Sequence, residues 1–210
     1  MEDLLDLYEE AYDPRYPVVC VDERPCQLHD EVVMPIAMKS GSAKKVDYEY
    51  ARMGTCNVFI AFEPLTGWRY TEIHQHRTKV DYAEFMDQIS CIYPHSDRIH
   101  VVQDNLNTHS AGAFYERFAA EHARELKNKF QFHYTPKKGS WLNMVEIELS
   151  ALSRQCLDRR IPDMVTLKHE VKFWEGERNE KKVKVNWRFT TSDAREKLKR
   201  HYPVSDDNDN

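Results

Sequence analysis

Two short runs rich in β-branched residues, PVVCVDE at 17–23 and RIHVVQDN at 98–105, both end on acids. Runs this apolar over so few residues suit strands covered on both faces, as in sheets sandwiched between helices. Their acids then stand at the strand exits, where open α/β sheets place their active sites. No other feature narrows the possible folds as far.

The remaining segments fit around that pair. Residues 26–48 hold Pro35, Gly41 and a Lys44–Lys45 pair without periodicity, and read as a loop or hairpin excursion. TCNVFIAFEP (55–64) and GWRYTEIHQ (67–75), split by Leu65-Thr66 ahead of Gly67, read as a β-hairpin. Val80, Phe85, Ile89 and Ile92 at helical spacing predict a helix over 78–92, stopped by Pro94. Ser110 is placed to cap a helix over 111–128, with Phe114, Phe118 and Leu126 on one stripe. FQFHYTP (130–136) is a short strand, and helices are expected at 141–157, 163–181 and 193–200, the last capped within Thr191-Ser192-Asp193. The order β, hairpin, α, β, α, β, α, α predicts a mixed sheet with helices on both faces. It divides the chain into an acidic lead-in (1–16), one domain (17–203) and a short acidic tail (204–210) expected to be disordered.

Composition removes several classes of function. A chain of 210 residues can bury a sizeable core. No run approaches the roughly 18 apolar residues of a membrane span, and MEDLLDLYEEAYDP lacks the basic-then-apolar order of a secretory signal. Cysteines 20, 26, 56, 91 and 156 are odd in number, dispersed and without a C-x-x-C pair, which points to reduced thiols in a cytosolic protein. His74 and His76 alternate on a strand without matching partners, so no zinc site is expected there. The net charge of −5 speaks against a polyanionic partner until it is resolved along the chain. Residues 1–31 carry −8, residues 32–134 are neutral, residues 135–204 carry +6, and 205–210 carry −3. The basic third can face a polyanion whatever the total.

Asp22 and Asp104, at the exits of neighbouring strands, would repel each other as anions unless a cation lay between them. Oxygen-only ligands select hard cations, Mg²⁺ or Mn²⁺, and a third carboxylate would complete a two-metal clamp for displacement at phosphorus. The helix at 141–157 supplies two candidates. Leu142, Val145, Leu149, Leu152 and Cys156 form its apolar stripe, and Glu146 and Glu148 lie on opposite flanks of it, so helix geometry does not choose between them.

The blocks VCVDE (19–23), VVQDNLNTH (101–109) and TPKKGSWLNMVEIELSALSRQC (135–156) resemble the three catalytic blocks of DDE transposases, particularly the bacterial insertion-sequence branch of the Tc/mariner superfamily. The likeness extends through DYEYARMGTCNVFIAFEP and VNWRFTTSDAREKL, from about Asp13 to Pro203. It implies an RNase H-like fold with a mixed five-stranded sheet. The family pattern assigns catalytic, metal-holding roles to Asp22, to Asp104 in its D-N-x-x-x-H setting, and to the glutamate after Leu-Asn-x-x, which is Glu146; Glu148 stays second choice. The 41 residues between Asp104 and Glu146 exceed the usual spacing, and EHARELKNK (121–129) can absorb the excess.

Asn105, His109 and Asn143 travel with these blocks as supporting residues: the asparagines to orient carboxylates or meet a phosphate oxygen, His109 as proton shuttle or DNA contact. Trp141 reads as a packing anchor. Lys137, Lys138, Arg154, Arg159, Arg160, Lys181 and Lys182, with the rest of the KKVK run, are the candidate phosphate contacts, and Lys44-Lys45 is a weaker one.

The resemblance implies a Mg²⁺- or Mn²⁺-dependent enzyme, with two ions. It would cut at transposon terminal inverted repeats and transfer strands into target DNA, as a homodimer, in the bacterial cytoplasm at the nucleoid. Family members carry helix-turn-helix modules ahead of this domain, and only about 16 residues, acidic as a stretch, stand there. The expectation is therefore a catalytic domain alone, from a split frame, a truncated copy or a partial sequence. The competing reading is a non-catalytic relic or inhibitory partner of a full-length transposase. A nuclease acting on RNA–DNA hybrids is a third, which the motif wording argues against.

Overall fold

The computed structural model describes residues 1–33, 37–42 and 49–202; Pro35, the Lys44–Lys45 pair and the 204–210 tail lie outside the described residues. In chain order the elements are α1 (Glu2–Glu9), β1 (Val18–Glu31), β2 (Tyr50–Glu63), β3 (Trp68–His74), α2 (Lys79–Ile92), β4 (Ile99–Gln103), α3 (Gly112–Arg117), α4 (Ala120–Lys129), β5 (Phe130–Tyr134), α5 (Val145–Gln155), α6 (Met164–Glu180) and α7 (Thr191–Lys197). The five strands form one mixed sheet in the order β3-β2-β1-β4-β5. β1 runs antiparallel to β2 and parallel to β4, β2 is antiparallel to β3, and β4 is parallel to β5. This is the mixed five-stranded α/β sheet expected from the order of sequence patterns.

Alternation along β1 divides the core into two layers. Val18 and Cys20 pack with α1, α5, α6 and α7 on one face. Val19 and Val21 pack with α2, α3 and α4 on the other. Successive side chains of a strand point to opposite faces, so a strand with helices on both sides must be apolar at every position, as VVCV is.

Several expected boundaries move. β1 does not end at residue 23: it continues to Glu31, paired to β2 as far as Tyr50. The ladder with β2 persists although RPCQLHDE is mostly polar, because the hydrogen bonds that hold it are backbone ones. Asp22 and Glu23 therefore lie not at a strand exit but just past Cys20, where pairing with β4 stops. The helix expected over 111–128 is two, because Phe118 is extended (φ −115°, ψ 162°), and α3 begins after Ala111 with no side-chain cap from Ser110. The break lets α4 turn its own Ala123 and Leu126 into the core. On α2, Val80 and Ile92 are exposed, and Tyr82, Phe85, Met86 and Ile89 make the buried face. The last helix is capped by Thr190, one residue ahead of the expected group, in a capping box with Asp193.

The acidic lead-in holds α1, whose Leu4, Leu5 and Leu7 are buried in the core. Tyr8 donates from its hydroxyl to the carbonyl of Leu142 (2.7 Å) and so ties α1 to the segment that leads into α5. Gly67 (φ 73°) closes the β2–β3 hairpin, and a Cβ there would lie 2.7 Å from the Lys182 carbonyl carbon, so the turn needs glycine. The exposed edge of β3 is covered by α6: the Asn179 side chain accepts from Arg69 N–H (2.8 Å) and donates to Arg69 C=O (2.8 Å), and Glu175 accepts from Thr71 N–H (2.7 Å). Among the described residues no helix is long and apolar enough to cross a membrane.

A buried ion-pair network joins three elements. Arg69 of β3 is fully buried, with Nε 2.9 Å from Glu148 Oε2 on α5. Arg178 of α6 grips the same carboxylate from Nε (2.9 Å) and Nη2 (2.7 Å). Removing one partner leaves the other charge stranded away from water, so Glu148→Ala should cost about 3–5 kcal/mol of stability. Chemical denaturation of Glu148→Ala beside Glu146→Gln checks this, and Glu146→Gln is expected to be neutral or mildly stabilising.

Candidate active site

Three elements deliver carboxylates to one place. Beyond Cys20, β1 presents residue 22 on the face it shares with Val18 and Cys20, the face that carries α5. β4 stops at Gln103 and hands Asp104 to the following loop. Glu146 sits in the first turn of α5. Asp22, Asp104 and Glu146 line a single open cleft of about 460 Å³. Arg24 on β1, Arg77 just ahead of α2 and Arg154 on α5 also line it, and Arg77 Nη1 lies 3.9 Å from Glu23 Oε1. Among the described residues, no three His, Cys, Asp or Glu side chains are gathered closely enough, as they stand, to hold a metal ion. Asp22, Asp104 and Glu146 are distributed around the cleft wall, and Glu23 also lines it.

The charges within the cleft are unevenly satisfied. Burial pushes the Asp22 carboxyl up to about 7; the Glu23 N–H donated to it (2.8 Å) opposes the rise, and the charges of Glu23, Glu146 and Asp104 add to it. Burial would likewise raise Asp104, but its ion pair with His109 (2.5 Å) outweighs that and holds the carboxyl below the usual range. His109 is buried between Asp104 on Nδ1 and Glu23 on Nε2 (2.9 Å). Burial disfavours its charge, yet the two carboxylates hold its pKa up to about 10.

The structure separates the two glutamates that helix geometry left tied. Glu148 is committed to Arg69 and Arg178, whereas Glu146 is half-buried on the cleft. Asn143 is buried, donates to the carbonyl of Val21 (3.0 Å) and accepts from the N–H of Val145 (3.4 Å). It thus pins the start of α5 to β1, and the helix begins at Val145 rather than 141 because Asn143 is extended (φ −83°, ψ 107°) after a single 3₁₀ turn over Ser140–Leu142. Asn105 is exposed and is not among the residues lining the cleft. His109 is too deeply buried to touch DNA directly. Trp141 stacks on Trp187 (6.2 Å) and meets Phe189 edge-on, while remaining 45% exposed.

Of the basic candidates, Arg154 alone lines the acid cleft, and it also lines the adjoining groove between α5 and α6. Lys137, Lys138 and Lys182 are exposed. Arg159, Arg160 and Lys181 are ion-paired with Glu170, Glu31 and Glu177. Sequence reasoning missed Glu23 and Arg77. Glu23 carried a signal, since the residue after Asp22 on an alternating strand must face the opposite layer. Arg77 carried none.

A family model for DDE superfamily endonucleases matches residues 17–168. The chain belongs to the DDE superfamily endonuclease family. Solved structures agree on the RNase H-like fold. The Mos1 mariner paired-end complex with Mn aligns with a TM-score of 0.58 at 15% identity, over 86% of this chain and 55% of that one. The Mos1 strand transfer complex aligns at 0.57 and 14% identity, over 83% and 51%. A pre-cleavage Mos1 transpososome aligns at 0.55 and 15% identity, over 87% and 59%. The chain thus spans little more than half the length of the solved chains it matches. No curated protein matches the sequence significantly.

The Asp22 shift predicts a pH dependence. Its folded pKa lies near 7, above the ordinary 3.8, so between those values the folded chain holds a proton that the unfolded chain releases. The stability that this proton confers is complete below pH 3.8 and lost as pH rises through 7. In metal-free buffer Asp22→Asn should therefore melt higher than the parent at pH 8, by about 2–4 °C per kcal/mol relieved. The gap should close at acid pH. Melting temperatures across pH check this, and a gap that does not depend on pH would contradict it.

Proposed function

We propose that this chain is the catalytic part of a DNA transposase of the Tc/mariner type, which cuts at transposon ends and joins the freed ends to target DNA. The observation that carries this reading is the presence of Asp22, Asp104 and Glu146, from three separate elements, in one cleft. Divalent ions fit this donor set by its chemistry: the donors are hard oxygens, and the buried Asp22 carboxylate carries a charge that its acidic neighbours disfavour. Asp22, Asp104 and Glu146 would hold them. Bound there, magnesium or manganese, two ions in this reading, would activate the attacking oxygen and stabilise the leaving one.

The chain's own residues supply the remaining functions. Arg77 and Arg154, both lining the cleft, hold the phosphates of the strand entering it, and Lys137 and Lys138 extend that contact on the loop after β5. Asn143 fixes the first turn of α5 and with it the approach of Glu146. The nucleophile is water for the first cut and a DNA 3′-hydroxyl for the transfer, so no covalent protein–DNA intermediate is needed. The Mos1 matches are described as paired-end and strand-transfer complexes. By that likeness this chain works as a dimer on paired DNA ends; inverted-repeat ends, end recognition by a helix-turn-helix region and a place in the bacterial cytoplasm at the nucleoid rest on the resemblance of its sequence blocks alone.

A supercoiled plasmid carrying an inverted repeat tests the reading. The parent should nick it with Mg²⁺ or Mn²⁺ and stop in EDTA. Asp22→Ala, Asp104→Asn and Glu146→Gln should each lose about 10²-fold or more. Full nicking by Asp104→Asn would overturn the assignment. DNA affinity should fall with salt, and Arg154→Ala should reduce the log–log slope by about 1.

A further inference from the structure

We propose that His109, braced by Glu23, is a positioning residue that pins one oxygen of Asp104 and turns the other toward the ion. The proposal rests on the reading of Asp104 as an ion ligand.

The loop from Asp104 to His109 is a closed turn. His109 N–H donates to the carbonyl of Leu106 (2.9 Å), and the His109 carbonyl accepts from Gln103 Nε2 (3.2 Å) and from the Tyr134 hydroxyl (3.4 Å). Gln103 is itself held, through Oε1, by the Tyr82 hydroxyl (2.7 Å), and the Tyr82 ring lies 4.9 Å from the imidazole. Both ring nitrogens are engaged: Nε2 with Glu23 Oε2 at 2.9 Å, Nδ1 with Asp104 Oδ1 at 2.5 Å. The His109 side chain is 1% exposed and that of Glu23 is 2% exposed. Backbone, ring face and both ring edges are thus fixed at once.

The consequence falls on Asp104. Its Oδ1 meets His109 and also accepts from the N–H of Leu106 (3.3 Å), while among the described residues Oδ2 has no hydrogen bond or ion pair. One oxygen is therefore saturated by the fold and the other is left for the cleft. Packing alone does not explain this arrangement. A buried carboxylate–imidazole–carboxylate chain takes two acids and a ring out of water, and an apolar residue on the Glu23 face of β1 would fill the space without that cost. Outer carboxylate–imidazole pairs orient inner ligands in metal sites generally, and their loss weakens metal affinity about 10–100-fold.

Mn²⁺ binding to the full chain without DNA, followed by the electron paramagnetic resonance of the free ion, tests the proposal in four proteins. They are the parent, Asp104→Asn, Glu23→Gln and His109→Gln. Glu23→Gln and His109→Gln should each bind Mn²⁺ about 10-fold more weakly or worse. Each variant should melt lower than the parent, because the partner left behind is a charge buried without its counter-ion, so binding is measured well below every melting midpoint, where all four proteins are folded. If Asp104→Asn weakens Mn²⁺ binding and the other two bind like the parent, the positioning role is wrong and the ligand assignment survives. Weakening that disappears when all four proteins are measured well below their melting midpoints also overturns it, since both residues would then be structural. Parent-like Mn²⁺ binding by Asp104→Asn removes the ligand reading itself.

Discussion

The strict two-sidedness of β1 governs the site. Helices cover both faces of the sheet, so each step along Val18–Val21 alternates between two buried layers, and two consecutive acids that follow must part company. Asp22 goes to the α5 side and faces the cleft with Glu146; Glu23 goes to the α2 side and meets His109, while still reaching the cleft lining beside Arg77. Both acids remain close to the point where β4 ends. One dipeptide thereby serves two layers, and the loop after β4 is held from behind while its aspartate faces forward.

A second constraint works by exclusion. Residues two apart on a helix lie roughly 200° apart around its axis. Once Glu148 is drawn inward by Arg69 and Arg178, Glu146 must turn to the other flank, toward Asp22. The ion-pair network thus fixes the rotation of α5, and the Asn143 link to Val21 fixes where the helix begins. Stability and the orientation of the cleft-facing glutamate depend on neighbouring side chains of the same turn.

Much of the fold was legible because it follows local periodicity. The alternating hairpin, the extent of α2 and the presence of α6 are written within a few residues of the elements they define. What escaped depends on partners far along the chain. Arg69 reads as an ordinary strand charge until Glu148, 79 residues later, is brought beside it. Likewise, RPCQLHDE has too little apolar alternation to announce a strand, since its order comes from pairing with β2. The three acids were legible through the wording of their blocks, which put Glu146 ahead of Glu148, whereas the commitment of Glu148 to Arg69 and Arg178 appears only in the tertiary structure. The basic gradient proved too coarse a guide, because Arg159, Arg160 and Lys181 already meet acids of their own chain.

The covering of β3 by α6 has a consequence for assembly. A bare edge strand is a template for another chain, and sheets commonly grow or join there. At Arg69 and Thr71 the amide of Asn179 and the carboxylate of Glu175 already occupy the hydrogen-bonding positions that an added strand would use. A second molecule approaching this side would first have to strip those side chains away, so β3 is a poor seam for joining copies by shared sheet.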